Sequence, residues 1–191
     1  MTWRAPSQRV SAAACWTAAW LVAFAAMHTA SPQGASLEYA VKATYLYKFA
    51  PFVEWPNESA EFPAGAFTLC VVGNPPFGTT LDRAVEGQTV AGRPITIRRF
   101  AAISSDPGCT VMYVAGLDAQ SAAADLAAVH GLPVLTVTDD ARDPAARGII
   151  NFVITENRVR FEIDEQAAAA SGLTISSKLL ALATHVTQRG P

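Results

Sequence analysis

Short apolar runs alternate with amphipathic segments along most of the chain. The apolar runs have the length, the β-branched content and the flanking Gly, Pro and Asn residues of strands. The predicted strands are residues 67–73, 93–100, 110–115, 133–138, 149–155 and 158–163. Segments with apolar residues three and four positions apart predict helices. The predicted helices are residues 37–53, 76–86, 118–129, 164–170 and 178–186.

The order of these elements predicts the fold class. Strands alternate with helices through residues 67–138, which is typical of a parallel sheet covered by helices. Glu156-Asn157 separates the last two predicted strands and indicates a hairpin. The prediction is therefore α/β: a mixed, mainly parallel sheet flanked by helices, with a C-terminal antiparallel hairpin at its edge.

A different pattern occupies the N-terminus. Arg4 and Arg9 precede an uncharged run, residues 10–30, and small residues and Pro32 follow it. A basic head, an apolar middle and a small-residue end predict a secretory signal peptide over residues 1–35, cleaved between residues 30 and 35. The alternative is an uncleaved membrane anchor, which the many alanines disfavour because Ala is only weakly apolar. The remainder, residues 36–191, is predicted to be a single α/β domain.

Charge narrows the function classes once the leader is set aside. The 191-residue chain has 14 basic and 16 acidic residues, so loss of Arg4 and Arg9 leaves 12 basic residues and a net charge of −4. A nucleic-acid-binding protein needs a basic surface, and we therefore expect no nucleic-acid partner. The same acidic balance disfavours a polybasic membrane-surface protein.

Two cysteines remain outside the leader. Cys70 and Cys109 are 39 positions apart, and in an exported protein two remaining cysteines are expected to form a disulfide. A loop of this length corresponds to roughly 3–4 kcal/mol of stabilisation in the chain-entropy description. Two buried free thiols are the alternative interpretation. A metal site is disfavoured, since neither His130 nor His185 has ligand-like spacing to the pair.

Catalytic motifs are scarce. Gly73 and Gly78 are spaced as in a phosphate loop, but the Lys-Ser/Thr pair that such a loop needs does not follow. The chain has no Gly-x-Ser-x-Gly nucleophile motif. Asp139-Asp140 follows a predicted strand and could act as an acid–base pair, but a solvated or helix-capping role is favoured. We therefore predict no catalytic site, cofactor or metal, and no ligand-binding residues are identified.

Two features suggest a surface for another protein. The first predicted helix is rich in aromatic residues, and Tyr45 and Tyr47 lie about 200° apart around a helix with 3.6 residues per turn. A helix that is apolar on more than one side packs against two things, of which one can be a partner. Burial of these aromatic residues within the chain's own core is the alternative. The candidate partner or dimer interface is Tyr45, Tyr47, Phe49, Phe52, Trp55, Arg158 and Arg160.

Several segments in this order resemble one known family. They are VKATYLYKFAPFVEWP, FTLCVVGNPPFG, GRPITIRR, the second cysteine before VMYVA, LTVTD, GIINF, RVRFEI and SGLTISSKLLALA. Each segment is weakly specific alone, but their joint order and spacing across residues 38–186 resemble the YfiR family. Some members have a further cysteine pair nearer the C-terminus, which this chain lacks, so the resemblance does not extend to a redox switch based on that pair.

The resemblance implies a regulator and no enzymatic activity. YfiR-like proteins act in the periplasm, where the best-understood type binds the sensor domain of an inner-membrane diguanylate cyclase and represses it. The resemblance thus implies a membrane-bound diguanylate cyclase or similar sensor protein as the partner, a homodimer, and a family disulfide between Cys70 and Cys109. The alternative function is a periplasmic small-ligand sensor or carrier, with a pocket at the strand ends near Gly73–Phe77 and Asp139.

Overall fold

The computed structural model describes residues 1–3, 32–56, 66–105 and 107–188. The basic and apolar parts of the predicted leader, residues 4–31, lie outside these ranges. The leader, its cleavage site and the domain boundary near residue 36 therefore stay predictions.

Five α-helices and ten strands lie in the described ranges. The helices are α1 Pro32–Lys48, α2 Thr80–Val85, α3 Ala119–Ala127, α4 Glu165–Ala170 and α5 Ser177–Leu180. The strands are β1 Val53–Glu54, β2 Phe67–Gly73, β3 Thr89–Val90, β4 Arg93–Phe100, β5 Val111–Ala115, β6 Leu135–Asp139, β7 Ile150–Thr155, β8 Arg158–Asp164, β9 Thr174–Ile175 and β10 His185–Thr187. Two 3₁₀ turns, Ala50–Phe52 and Pro144–Ala146, complete the described elements.

Eight of these strands form one mixed sheet. Their order is β10-β8-β7-β6-β5-β2-β4-β3, and the five central strands from β7 to β4 are parallel. The hairpin β7–β8 is antiparallel, and β10 lies parallel to β8 beyond it. This confirms the predicted fold class. β1 and β9 form a separate antiparallel pair.

The sheet divides the core into two layers, because successive side chains of a strand point to opposite faces. Phe67, Tyr113 and Phe152 lie on the face that α1 and α2 cover, in the larger apolar cluster. Val72 and Met112 lie on the other face, in a smaller cluster that contains both cysteines. Both clusters contain fully buried strand residues, as the near-continuous apolar runs of β2 and β5 predict.

The structure corrects the end of the chain. The predicted helix over residues 178–186 is wrong beyond Leu180, since α5 ends there and β10 begins at His185. The backbone N–H and the hydroxyl of Thr184 both donate to the carbonyl oxygen of Phe161, at 2.9 and 3.1 Å. These bonds start the pairing with β8, and the β-branched residues Val186 and Thr187 suit a strand. The hairpin was predicted to form the edge of the sheet, but β10 covers the second half of β8, at Glu162–Asp164.

Two other predicted helices differ in their ends. α1 extends back to Pro32 and ends at Lys48. Pro51 cannot continue the α-helix and lies in the 3₁₀ turn Ala50–Phe52. α2 covers only Thr80–Val85 of the predicted 76–86, because the preceding turn contains Gly78 with a positive φ of 51°. The hairpin turn is as predicted: Glu156 and Asn157 both have positive φ angles, 51° and 57°.

Candidate functional site

A buried polar cluster lies where β6 ends beneath α1. The ammonium group of Lys42, whose side chain is 2 % exposed, lies 2.6 Å and 2.8 Å from the two carboxylate oxygens of Asp139. Lys42 also pairs with Glu38, one turn earlier on α1. The hydroxyl group of Tyr113 donates to Oδ2 of Asp139 at 2.7 Å, and that of Tyr39 does so at 3.4 Å. The cluster thus connects α1 to β5 and β6.

The charges of this cluster favour the ion pair. Burial lowers the pKa of Lys42, but hydrogen bonds and charges from Asp139 and Glu38 outweigh this effect and raise that pKa above its ordinary value. Burial, followed by the charge of Asp139, raises the pKa of Tyr113 strongly and that of Tyr39 as well. At neutral pH the lysine is therefore charged and both phenols are protonated donors.

This arrangement fits a structural link between α1 and the sheet better than a binding site for a ligand. Both oxygens of Asp139 already accept hydrogen bonds, and its side chain is only 12 % exposed. The pocket of the small-ligand alternative was expected near Asp139, and the carboxylate of that residue is already engaged within the chain. A cleft of about 370 Å³ does lie beside it, between the loop after β5 and residues 139–146.

The other part of the expected pocket is filled by backbone. The loops that follow β2 and β5 touch, and the N–H of Asn74 donates to the carbonyl oxygen of Ala115 at 3.1 Å. Gly116 has a φ of 73°, and a Cβ atom there would lie 2.6 Å from the carbonyl oxygen of Asn74. In α/β sheets, ligands commonly bind between two adjacent strands whose following connections run to opposite sides. Here those strands are β2 and β5, and the contact between the loops that follow them closes the space.

A disulfide joins Cys70 to Cys109 on the opposite face of the sheet. Cys70 lies in β2 and Cys109 lies in the loop before β5, with Cα atoms 5.7 Å apart. Both residues are buried, together with Met112, Val114 and other members of the smaller cluster. The bond closes the loop that contains β4, so it constrains this half of the sheet.

The residues of the candidate interface fall into three groups. Tyr47 and Phe49 are buried, with 8 % and 1 % exposure, and belong to the core of this chain. Tyr45, Phe52 and Trp55 are half-buried, and Arg158 and Arg160 are exposed. The interface itself remains a prediction, but only the last two groups offer surface to a partner.

A groove brings part of this set together. It has a volume of about 140 Å³ and is lined by Tyr45, Lys48, Phe49, Phe52, Val159, Arg160, Phe161, Leu179 and Leu182. Tyr45 and Phe49 stack with ring centroids 5.6 Å apart, and Phe161 meets Phe49 edge-on at 5.2 Å. Leu182 remains 64 % exposed at the rim. Trp55 lies elsewhere, in a pocket with Pro51, Phe67 and Val90.

The comparison with protein families decides the identity of the chain. The model of the YfiR/HmsC-like family matches residues 39–184. The chain belongs to the YfiR/HmsC-like family. A comparison with curated proteins finds no match. Members of this family are regulators rather than enzymes, and the family suggests a periplasmic regulator of a diguanylate cyclase.

Two further observations apply to the described part of this YfiR/HmsC-like protein. None of its described helices has both the length and the apolar content needed to cross a bilayer. The described His, Cys, Asp and Glu side chains form no group of three that could hold a metal ion.

The Lys42–Asp139 cluster was not predicted from the sequence. A signal was present, since Lys42, Leu46 and Phe49 are spaced four and three positions apart and so share one face of a helix. A lysine in an apolar stripe needs a buried acid as its partner. Asp139, at the end of a predicted strand, was available, but a solvated or helix-capping role was favoured for Asp139-Asp140.

Proposed function

We propose that this protein is a periplasmic regulator that binds the periplasmic domain of an inner-membrane diguanylate cyclase and holds that enzyme inactive. The family match over residues 39–184 is the observation that carries the proposal. A small-ligand sensor remains a weaker candidate, because the acid expected in its pocket already accepts hydrogen bonds from Lys42 and Tyr113.

The shape of the molecule supports a binding role. Tyr45 and Phe52 are half-buried at a groove that also contains the exposed Leu182, while Lys48 and Arg160 supply charge at its rim. An apolar centre with a polar rim is the usual composition of a protein–protein interface. The groove therefore offers a surface on which the cyclase domain can bind.

The covalent constraint supports work outside the cytoplasm. Disulfides persist in oxidising compartments such as the periplasm. The Cys70–Cys109 bond holds β2 to the loop before β5 and so keeps the central strands rigid. A rigid surface binds a partner with less loss of conformational entropy.

We also propose that the protein is a homodimer, which the family resemblance supports. Sedimentation of the purified protein at several concentrations tests this.

The experiment is a gene deletion with complementation. Deletion is expected to raise cellular cyclic-di-GMP, measured by mass spectrometry, and the wild-type gene on a plasmid is expected to restore the original level. Replacement of the partner cyclase gene by a catalytically inactive version should abolish the rise in the deletion strain. If deletion leaves cyclic-di-GMP unchanged under conditions in which the protein is produced, repression of a cyclase is the wrong function.

A further inference from the structure

We propose that the partner of this protein contributes an extended segment, with alternating acidic and apolar residues, which adds as a strand to the open outer edge of β8 at Arg158–Arg160. The inference rests on the proposed function, since it specifies how the partner is recognised. It is carried by the backbone of the hairpin, the side chains on its two faces and their charge.

Within the described ranges, the outer side of β8 is paired only along its second half. β10 pairs with Glu162, Ile163 and Asp164 only, and among described elements no strand lies outside the preceding residues. The carbonyl oxygen of Phe161 points outward, because it accepts the N–H of Thr184. Backbone groups alternate in direction along a strand, so the N–H and C=O of Val159 also point outward. They are available to an added strand, which is a common mode of peptide recognition.

The inner face of this edge is apolar. Val159 and Phe161 alternate with the arginines and point to the side that α1 covers, where they line the groove together with Tyr45 and Leu182. A strand laid against β8 would place every second side chain over this groove, since side chains alternate with a period of two. Those positions of the partner segment are therefore expected to be apolar.

The outer face of the same edge is positively charged. Arg158 and Arg160 are exposed and form no ion pair with any acid in the described ranges. The next side chain on that face, Glu162, is engaged by Arg147 at 3.1 Å and does not neutralise them. The remaining positions of the partner segment are therefore expected to be Asp or Glu.

A second copy of this chain fits the same edge poorly. Two β8 strands related by a two-fold axis through Val159 would place Arg158 of one copy opposite Arg160 of the other. Like charges directly opposite each other destabilise a strand pair. The charge of the edge thus favours a different protein with an acidic segment.

The first test uses synthetic peptides and the purified protein. A seven-residue peptide that alternates glutamate with valine is compared with one that alternates lysine with valine. We expect the glutamate peptide to bind at least about tenfold more tightly, because two ion pairs are replaced by two repulsions in the lysine peptide. Bound glutamate peptide should also slow the hydrogen exchange of the Val159 amide. Equal affinities, no binding at millimolar peptide, or an unprotected Val159 amide would overturn the inference.

The second test separates the inference from the proposed function. The deletion strain is complemented with Arg158→Glu/Arg160→Glu, and with Arg142→Glu as the matched control, whose side chain is 89 % exposed in the loop after β6. We expect the double variant, at wild-type abundance, to leave cyclic-di-GMP high and the control to restore it. If both variants restore repression, strand addition at β8 is wrong while the regulatory function stands. If deletion itself has no effect, the function fails, and the peptide experiment alone decides the inference.

Discussion

Replacement of Lys42 by methionine is expected to destabilise the protein strongly. Methionine retains an unbranched side chain of similar length but removes the charge that faces Asp139. The carboxylate then loses the ammonium group that lies 2.6 and 2.8 Å from its two oxygens, while its side chain is only 12 % exposed. A buried charge without its counter-ion is one of the few single changes that have a large effect.

The magnitude follows from the remaining contacts. Breaking a buried ion pair by removing one partner typically costs about 3–5 kcal/mol. Asp139 keeps the hydroxyl group of Tyr113 at 2.7 Å, so the lower end of that range applies. A loss of about 3 kcal/mol corresponds to a fall in Tm of roughly 6–12 °C for a domain of this size.

Two control variants isolate the ion pair. Lys48→Met changes an exposed lysine on the same helix and is expected to alter the free energy of unfolding by less than about 0.5 kcal/mol. Lys42→Met combined with Asp139→Asn removes both charges but retains an oxygen that can accept from Tyr113. This double variant should recover most of the lost stability, because no unpaired charge is then buried.

Urea denaturation followed by circular dichroism measures all four proteins. The reasoning is refuted if Lys42→Met unfolds within about 1 kcal/mol of the wild type, since the measured pair would then be no stronger than a surface pair. It is also refuted if the double variant is as unstable as the single one. In that case the loss would come from packing of the lysine stem and not from the carboxylate.

Three further changes are expected to have measurable effects. Cys70→Ala with Cys109→Ser should lower the free energy of unfolding by about 3–4 kcal/mol, and a reducing agent should then have no additional effect on Tm. Gly116→Ala should lower the free energy of unfolding in urea by about 3 kcal/mol or more, because its Cβ would lie 2.6 Å from the carbonyl oxygen of Asn74. Gly87→Ala is the control: its φ is also positive, at 69°, but the space around it is open, so it should lose only about 1 kcal/mol. The free energy of unfolding should fall as the pH rises above 10, because the pKa of Tyr113 is raised from 10.0 in the folded protein and the phenol of the unfolded chain therefore ionises first. Denaturant midpoints measured between pH 8 and 11 would show this loss.

Regular elements with a strong sequence pattern could be predicted well. β2 and β5 are near-continuous apolar runs between turn residues, and such runs fit a sheet that is buried on both faces. The hairpin turn Glu156-Asn157 was also predictable, because Asn tolerates the positive φ that a two-residue hairpin needs. These local rules suffice where the pattern and the tertiary environment agree.

Elements that depend on distant partners could not be predicted. β10 has three residues, and its strand conformation comes from pairing with β8, more than 20 positions earlier along the chain. The two-residue strands β1 and β9 likewise exist only as each other's partners. Residues 181–186, which include the start of β10, were assigned to the preceding helix for this reason.

The candidate surface was predictable in part for the same reason. Sequence periodicity places Tyr45 and Phe49 on the first helix but gives no rotation of that helix relative to the sheet. Lys42 fixes this rotation, because its ion pair with Asp139 places one side of α1 against β6. Phe49, seven positions after Lys42, is buried at the base of the groove, and Tyr45, which stacks on it, is half-buried there.

The Lys42–Asp139 ion pair and the proposed binding edge at Arg158–Arg160 therefore affect the molecule in different ways. Lys42, inside α1, pairs with Asp139 at the carboxyl end of β6, and variants of these two residues should change stability first. Arg158 and Arg160 are exposed on the hairpin, and their variants should change partner binding with little change in stability. Because α1 connects the two regions, Lys42→Met should also weaken recognition, by loosening the helix that supplies Tyr45 to the groove. A partner segment bound in that groove should in turn restore part of the stability that this variant loses, since a ligand that binds only the folded state stabilises it.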